Sequence, residues 1–251
     1  MRLEPAPPLP PRARLRWTVV RSLVARLRPA TILELGCGLG AVGVRLARTA
    51  TYVAAEPDAR SYSVAKPRIA AAGGEVIHGD HTAVPDGRRF DLVAAFEVLE
   101  HIEHDAEVLA QWLPLVKPDG HVLLSVPADP RLFGPHDALV GHYRRYTAED
   151  LRRLLTDAGA VDVQVRHYGW PLAYLLEHVR NGAARRREGT AADTAAERTA
   201  GSGRFLQPRS AVLGHAIRVA VMPFGVLQRL RPGTGPGLIA LARIPGPATG
   251  G

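Results

Sequence analysis

The stretch Thr31-Ile-Leu-Glu-Leu-Gly-Cys-Gly-Leu-Gly40 constrains the fold of this chain more than any other. An apolar, β-prone run ends in three glycines at alternate positions, Gly36, Gly38 and Gly40. A helical pattern over 41–48 follows at once, so the order is strand, tight turn, helix start. Glycines let the backbone turn sharply and let a ligand lie against bare main chain. The helix start adds free N–H groups and a partial positive charge. In open α/β sheets a turn of this kind, at the carboxyl end of a strand, is where nucleotide-like ligands bind.

The glycines do not choose the ligand, because Gly38-x-Gly40-x-x-Gly43 also fits a dinucleotide fingerprint. Glu34, two residues before the first glycine, narrows the choice: together the residues read Glu-x-Gly-x-Gly-x-Gly. On these residues the chain resembles the class I S-adenosylmethionine-dependent methyltransferases. The resemblance implies that Glu34 organises the loop and the methionine end of the cofactor. It also implies that Gly36, Cys37, Gly38 and Gly40 lie beneath its ribose and methionine part.

A length of 251 residues, 46% of them apolar, leaves room for one decorated α/β domain. No run approaches 18 uninterrupted apolar residues, and residues 1–11, rich in proline, lack the apolar core of a secretory signal. The expectation is a cytoplasmic protein with an extended, mobile start. Cys37 is the single cysteine, which excludes an internal disulfide, and its place in the turn suggests a small space-filler. The net charge of +8 is uneven. Residues 1–29 carry seven Arg and one acid, residues 170–232 ten Arg and four acids, and the remainder is acidic. Such basic segments suit an anionic substrate, a membrane surface or nucleic acid. They equally suit a composition that favours Arg throughout, since only Lys66 and Lys117 are lysines.

Taken in order, residues 14–27 read as a helix that in the resembled family often covers the cofactor. Residues 51–56 form a second strand ending in Glu56, placed to accept hydrogen bonds from ribose hydroxyls, with Pro57 beside it. Asp58 opens a helix that Pro67 should break near Lys66. Residues 75–80 form a third strand. In the resembled family an Asp after this strand, here Asp80, accepts from the adenine amino group, with the His81 backbone amide reaching the ring.

The stretch Arg89-Phe-Asp-Leu-Val-Ala-Ala-Phe-Glu-Val-Leu-Glu-His101 is similar to a block in methyltransferases of the ubiquinone- and menaquinone-biosynthesis type. It implies that Phe96 and Glu97 line the cofactor edge near the transferred methyl, and offers His101 as a catalytic or a structural residue. A helix over 105–116, the turn Lys117-Pro-Asp-Gly120 and a strand over 121–126 repeat a family hallmark. By this point the alternation predicts a doubly wound sheet. With the resemblance, the expected fold is a Rossmann-like sheet of seven mostly parallel strands whose last strand is antiparallel.

Residues 133–146 hold the densest polar and aromatic cluster, including His136, Asp137 and Gly141-His-Tyr-Arg-Arg-Tyr146. His142 is the first candidate general base and Tyr143 the second, while Arg144 and Arg145 can anchor an acidic substrate group. His136, Tyr146, Tyr168 and Trp170 complete the expected substrate contacts. Alternatively, His142, Tyr143 and Arg144 fold the loop onto the core and pair with its acids. Thr147-x-x-Asp150 reads as a capping box, and residues 161–168 alternate as a strand. The last strand, 237–244, then follows only after an insertion, 170–232, in place of the family's usual short hairpin. Helices are expected at 172–187, and at 211–230 with a kink at Pro223. The insertion suits a substrate lid, a peripheral membrane contact or a homodimer contact. The chain thus divides into an extension (1–29), a core (30–169 and 233–251) and the insertion.

The resulting expectation is S-adenosylmethionine-dependent methyl transfer to oxygen or nitrogen of a small molecule, anionic or neutral, leaving S-adenosylhomocysteine. No metal-ligand spacing is evident, since His136 and Asp137 are insufficient, so in-line displacement without a metal is expected. RNA or peptide methylation, an NAD(P)-dependent reductase and a non-catalytic membrane-surface or partner-binding protein are the rivals.

Overall fold

The computed structural model describes residues 6–186, 208 and 210–246. Seven strands form one sheet: β1 (Thr31–Leu35), β2 (Thr51–Glu56), β3 (Glu75–His78), β4 (Phe90–Phe96), β5 (Val116–Pro127), β6 (Val161–Tyr168) and β7 (Gly237–Arg243). Their order across the sheet is β3-β2-β1-β4-β5-β7-β6. The pairs from β3 to β5 are parallel, and β7 runs antiparallel to both β5 and β6. The strand order reverses direction between β1 and β4, so the ends of these two strands open a crevice above the sheet, where doubly wound folds bind ligands.

The central strands are buried on both faces, as their near-continuous apolar runs require. One face packs around Trp112, Leu124 and Leu151, the other around Leu15, Tyr52 and Ile69. The first is covered by α4 (Asp105–Trp112) and α6 (Ala148–Asp157), the second by α1 (Pro11–Leu27), α2 (Gly43–Leu46) and α3 (Ala59–Ala70). The short α5 (Pro135–Val140) lies between β5 and α6 in the chain. Helix α7 (Leu172–Arg185) follows β6, and α8 (Ala211–Leu227) precedes β7. The capping box at Thr147 forms as the sequence requires, with Asp150 bonding back to Thr147.

Several local expectations are corrected. The start is not loose over 6–10: Leu9 is buried, and the Pro7 carbonyl accepts from Arg45 at 2.7 Å. Residues 1–5 lie outside the described residues. Helix α1 begins at Pro11, where a missing N–H costs nothing. Helix α3 runs unbroken through Pro67, because the Ser63 carbonyl that Pro67 cannot satisfy belongs to an exposed residue. Helix α2 is shorter than expected, and α4 gives way at Leu113 to a 3₁₀ turn containing Pro114. The Lys117–Gly120 segment is not a free turn but belongs to β5, with an irregularity in the β4–β5 pairing and Asp119 at φ 58°.

The insertion is helical where it is described. Helix α8 packs on α1, is continuous across Pro223 and passes at Gln228 into a 3₁₀ turn. Helix α7 packs on α5 and α1. The segment 187–207 lies outside the described residues. The outward face of α8 leaves Val212, Val219, Met222 and Val226 exposed. Among the described residues no helix is long and apolar enough to cross a membrane.

Candidate active site

A cavity of about 700 Å³ opens above the ends of β1, β2 and β4. Its floor is the glycine turn. Gly36, Gly38 and Gly40 have φ of 72°, 55° and 77°, a region that costs other residues strain. A Cβ on Gly36 would lie 2.7 Å from a Val98 methyl, whereas one on Gly38 would meet nothing within 4 Å. Gly36 is therefore fixed by packing, and Gly38 leaves bare backbone with open space above it.

Two acids hold this floor. Glu34 is buried in β1, and Tyr52 donates to its carboxylate at 2.5 Å. Burial lifts its pKa to about 7, against the opposing pull of that hydrogen bond. Glu56, at the end of β2, accepts from the Gly38 N–H at 2.6 Å and the Asp58 N–H at 3.0 Å. A carboxylate has about four acceptor sites, so Glu56 keeps capacity for further donors. Pro57, Asp80, His81, Cys37, Phe96 and Glu97 also line the cavity. One Asp80 oxygen, Oδ1, caps the following turn through Thr82.

The opposite wall holds His136 and His142, with His101, Ile102, Leu176 and Arg180. His142 Nδ1 lies 2.7 Å from Asp137 Oδ1. Burial would raise Asp137, but bonds from His142 and Arg145 hold it below the usual carboxylate range. An ionised carboxylate only accepts, so Nδ1 carries a proton, and the neutral tautomer that this bond selects has its lone pair on Nε2. His101 stacks edge-on against His142 at 4.6 Å, and burial, then His142, lowers its pKa to about 4.

Glu100, fully buried, lies 3.9 Å from His142 Nε2. Among the described residues neither of its oxygens nor either His101 nitrogen makes a well-formed hydrogen bond. Burial, then Glu97, pushes the Glu100 carboxyl well above its ordinary range. One donor atom each from Glu100, His101 and His142 lie within 4.8 Å of one another, a set that can hold a divalent cation. Sequence spacing hid this set, because His142 comes from a distant segment.

Not every expected contact reaches the cavity. Tyr143 is 54% exposed and joins the core through its backbone N–H to the Glu100 carbonyl. Arg144 bonds the Glu103 carbonyl and pairs with Asp105 at 2.9 Å. Arg145 is buried between Asp137 and Glu177, and Tyr146 donates to Asp105 at 2.8 Å. The expected anion anchors, Arg144 and Arg145, thus pin the loop to acids of the core, as does Tyr146, while the Tyr143 N–H binds a backbone carbonyl. Tyr168 is buried and donates to Glu97 at 3.2 Å, while Trp170 sits under Arg231 at 4.7 Å. None of these six lines the cavity.

Three arginines do so instead. Arg12 and Arg16 of α1 face Glu97 at 3.6 and 3.2 Å, and Arg12 also bonds Glu177 at 2.9 Å. Burial would raise Glu97, but Arg12 and Arg16 hold it at about 2. Arg180 comes from α7. The spacing of Arg12 and Arg16, one helical turn apart, was a usable signal, but the expected helix began only at residue 14.

Comparison with known proteins fits this geometry. A family profile described as a methyltransferase domain matches residues 12–165. The chain belongs to that family. A ubiquinone biosynthesis O-methyltransferase of Serratia proteamaculans is 33% identical over 116 residues, covering 44% of this chain and 48% of the relative. One of Thiobacillus denitrificans is 31% identical over 117 residues, covering 45% and 49%. The chain thus spans about half the length of these curated relatives. The structure of Haemonchus contortus phosphoethanolamine N-methyltransferase 2 with S-adenosyl-L-methionine superposes with a TM-score of 0.58 at 16% identity. That match covers 91% of this chain and 53% of the other, and it shows a common fold.

S-adenosylmethionine, the methyl donor of this family, fits the floor of the cavity. Gly38 offers bare backbone with open space above it, and Glu56 has spare acceptor capacity at the end of β2. Asp80 and His81 lie beyond it along the same cavity.

Proposed function

We propose that this protein transfers a methyl group from S-adenosylmethionine to a hydroxyl oxygen of a small molecule. One observation carries the reading: the glycine floor and the Asp137–His142 pair line or border one cavity. The names of the curated relatives support oxygen as the acceptor atom. Glu56 would hold the ribose hydroxyls and Asp80 the adenine end, with Glu34 and the glycines beneath the rest. Bound there, the cofactor supplies a methyl group on a good leaving group. The chain must then hold the acceptor in line, exclude water and take a proton. Positioning supplies much of the gain. His142 Nε2, kept as a lone pair by Asp137, takes the hydroxyl proton, and Asp137 stabilises the resulting imidazolium, worth ~10²–10⁴-fold. Leu176 and Arg180 line the cavity that also holds His136 and His142, which supports a covering role for α7.

A second reading is favoured by the unpartnered Glu100 carboxyl. A divalent cation on Glu100, His101 and His142 would lower the pKa of the acceptor hydroxyl and replace the free base. The test is transfer of labelled methyl from S-adenosylmethionine to 3,4-dihydroxybenzoate and to phosphoethanolamine, with and without EDTA. Labelled product that survives EDTA and falls in His142→Asn supports the free base. Loss with EDTA and recovery with a divalent cation supports the second reading. Labelling of phosphoethanolamine alone would move the acceptor atom to nitrogen.

A further inference from the structure

Four guanidinium groups meet three ionised carboxylates beneath the acceptor wall. Arg12, Arg16, Arg145 and Arg180 face Glu97, Glu177 and Asp137. Three of the four arginines are well paired. Arg145 holds Asp137 through two nitrogens, at 3.0 and 2.6 Å, and reaches Glu177 as well. Arg12 takes the other Glu177 oxygen, and Arg16 takes Glu97. Among the described residues Arg180 pairs only with Glu177, at 3.9 Å, an acid already held by two closer arginines.

Arg180 is nonetheless largely withdrawn from water, with its side chain 11% exposed, and its Nε, like that of Arg12, has no partner among the described residues. Burial, then the neighbouring Arg12, lowers its pKa only to about 10, so it stays charged at neutral pH. An uncompensated buried charge is costly, and a guanidinium fork matches a carboxylate or phosphate. Its position assigns the ligand to the acceptor side. Arg180 comes from the insertion and lines the cavity, and its field is felt first, after burial, by His136, which also feels His142. Glu34 and Glu56, on the cofactor side, already serve Tyr52 and the glycine loop.

We propose that Arg180 binds an anionic group of the acceptor, a carboxylate or a phosphate, and so selects acidic small molecules as substrates. This rests on the methyltransferase reading and names the substrate class of the same site. The insertion then contributes the selecting charge as well as cover.

The test is calorimetric titration of the full chain, first with S-adenosylhomocysteine and then, saturated with it, with sodium benzoate and with inorganic phosphate. Wild type, Arg180→Met, Arg180→Lys and the remote surface control Arg152→Gln are compared. The expected result is binding of at least one anion to wild type and to Arg152→Gln. It weakens at least 10-fold in Arg180→Met and partly recovers in Arg180→Lys, while S-adenosylhomocysteine affinity stays within 2-fold. The preferred anion names the group as carboxylate or phosphate. Equal anion affinity in wild type and Arg180→Met overturns the proposal. So does a large loss of S-adenosylhomocysteine affinity in a folded Arg180→Met, since the anion would then be the cofactor's own carboxylate. Anion binding through Arg180 without any S-adenosylhomocysteine binding would keep the anion site and discard the methyltransferase reading.

Discussion

The two sides of the cavity are assembled by different means. The proposed cofactor side comes from one continuous stretch, 31–40, and from the ends of β2 and β3. Its parts are backbone groups and short acids fixed by the sheet. The acceptor side draws on α1, the turn after β4, α5 with the loop beyond it, and α7. Its parts are long charged side chains that hold one another. Arg12 and Glu177, for example, meet across 165 residues of sequence. A site made of local turn chemistry is set once its strand and helix form. A site made of ion pairs depends on every element arriving, and losing one partner leaves another buried without compensation.

The largest expected effect separates chemistry from cofactor binding. His142→Asn should lower the methyl-transfer rate by ~10²–10⁴-fold, measured with the acceptor found by the labelled-methyl screen. Its S-adenosylhomocysteine affinity should stay near wild type. A rate within 3-fold of wild type would remove His142 as the base and erase the proposed division of labour.

Arg145→Met tests whether the acceptor side is held by its ion pairs. It removes one partner each from Asp137 and Glu177, both buried, and leaves them His142 and Arg12, at a cost of about 3–5 kcal/mol. For a chain of this length the midpoint of thermal unfolding should fall by about 10 °C. A fall under 2 °C would mean that the cluster does not organise this side.

Much of the contrast follows from what a sequence can show. The strand at 31–35 with Glu34, the strand ending in Glu56 and the capping box at Thr147 rest on neighbours within a few residues or on alternation, and the antiparallel β7 followed from the family resemblance. These were legible. The identity of the anion anchor was not. Arg144 and Arg145 stood in a polar loop beside the histidines, and nothing local showed that Asp105, Asp137 and Glu177 would claim them. Arg180 stood in an ordinary amphipathic helix, and only the fold leaves it short of an acid. The Glu100–His101–His142 set was hidden in the same way. Pro67 misled for a converse reason: a rule about helix interiors yields where the orphaned carbonyl faces water.

A smaller effect is expected on the cofactor side. Glu56→Ala removes the acceptor of two loop N–H groups and of the proposed ribose bonds. S-adenosylhomocysteine affinity should fall ~10²-fold, since hydrogen bonds to a charged group are worth about 1.5–3 kcal/mol each. Isothermal titration checks this, and an unchanged affinity would take Glu56 out of the site.

The last effect concerns pH. Glu34 binds its proton more tightly folded than unfolded, because its pKa rises from 4.5 to about 7. Folding therefore loses stability as pH climbs from about 4.5 to 7, by at most about 1.4 kcal/mol per pH unit, and no more above that window. Glu34→Gln should lack this slope. Its unfolding midpoint relative to wild type should improve between pH 5 and pH 8, and a difference that is flat with pH would contradict the assignment.

The most direct test of the central claim is calorimetric titration of the wild-type chain with S-adenosylhomocysteine, run in parallel with NADH. The account predicts micromolar binding of S-adenosylhomocysteine at one site and no measurable binding of NADH. Failure of a folded protein to bind S-adenosylhomocysteine, or binding of NADH in its place, would contradict it.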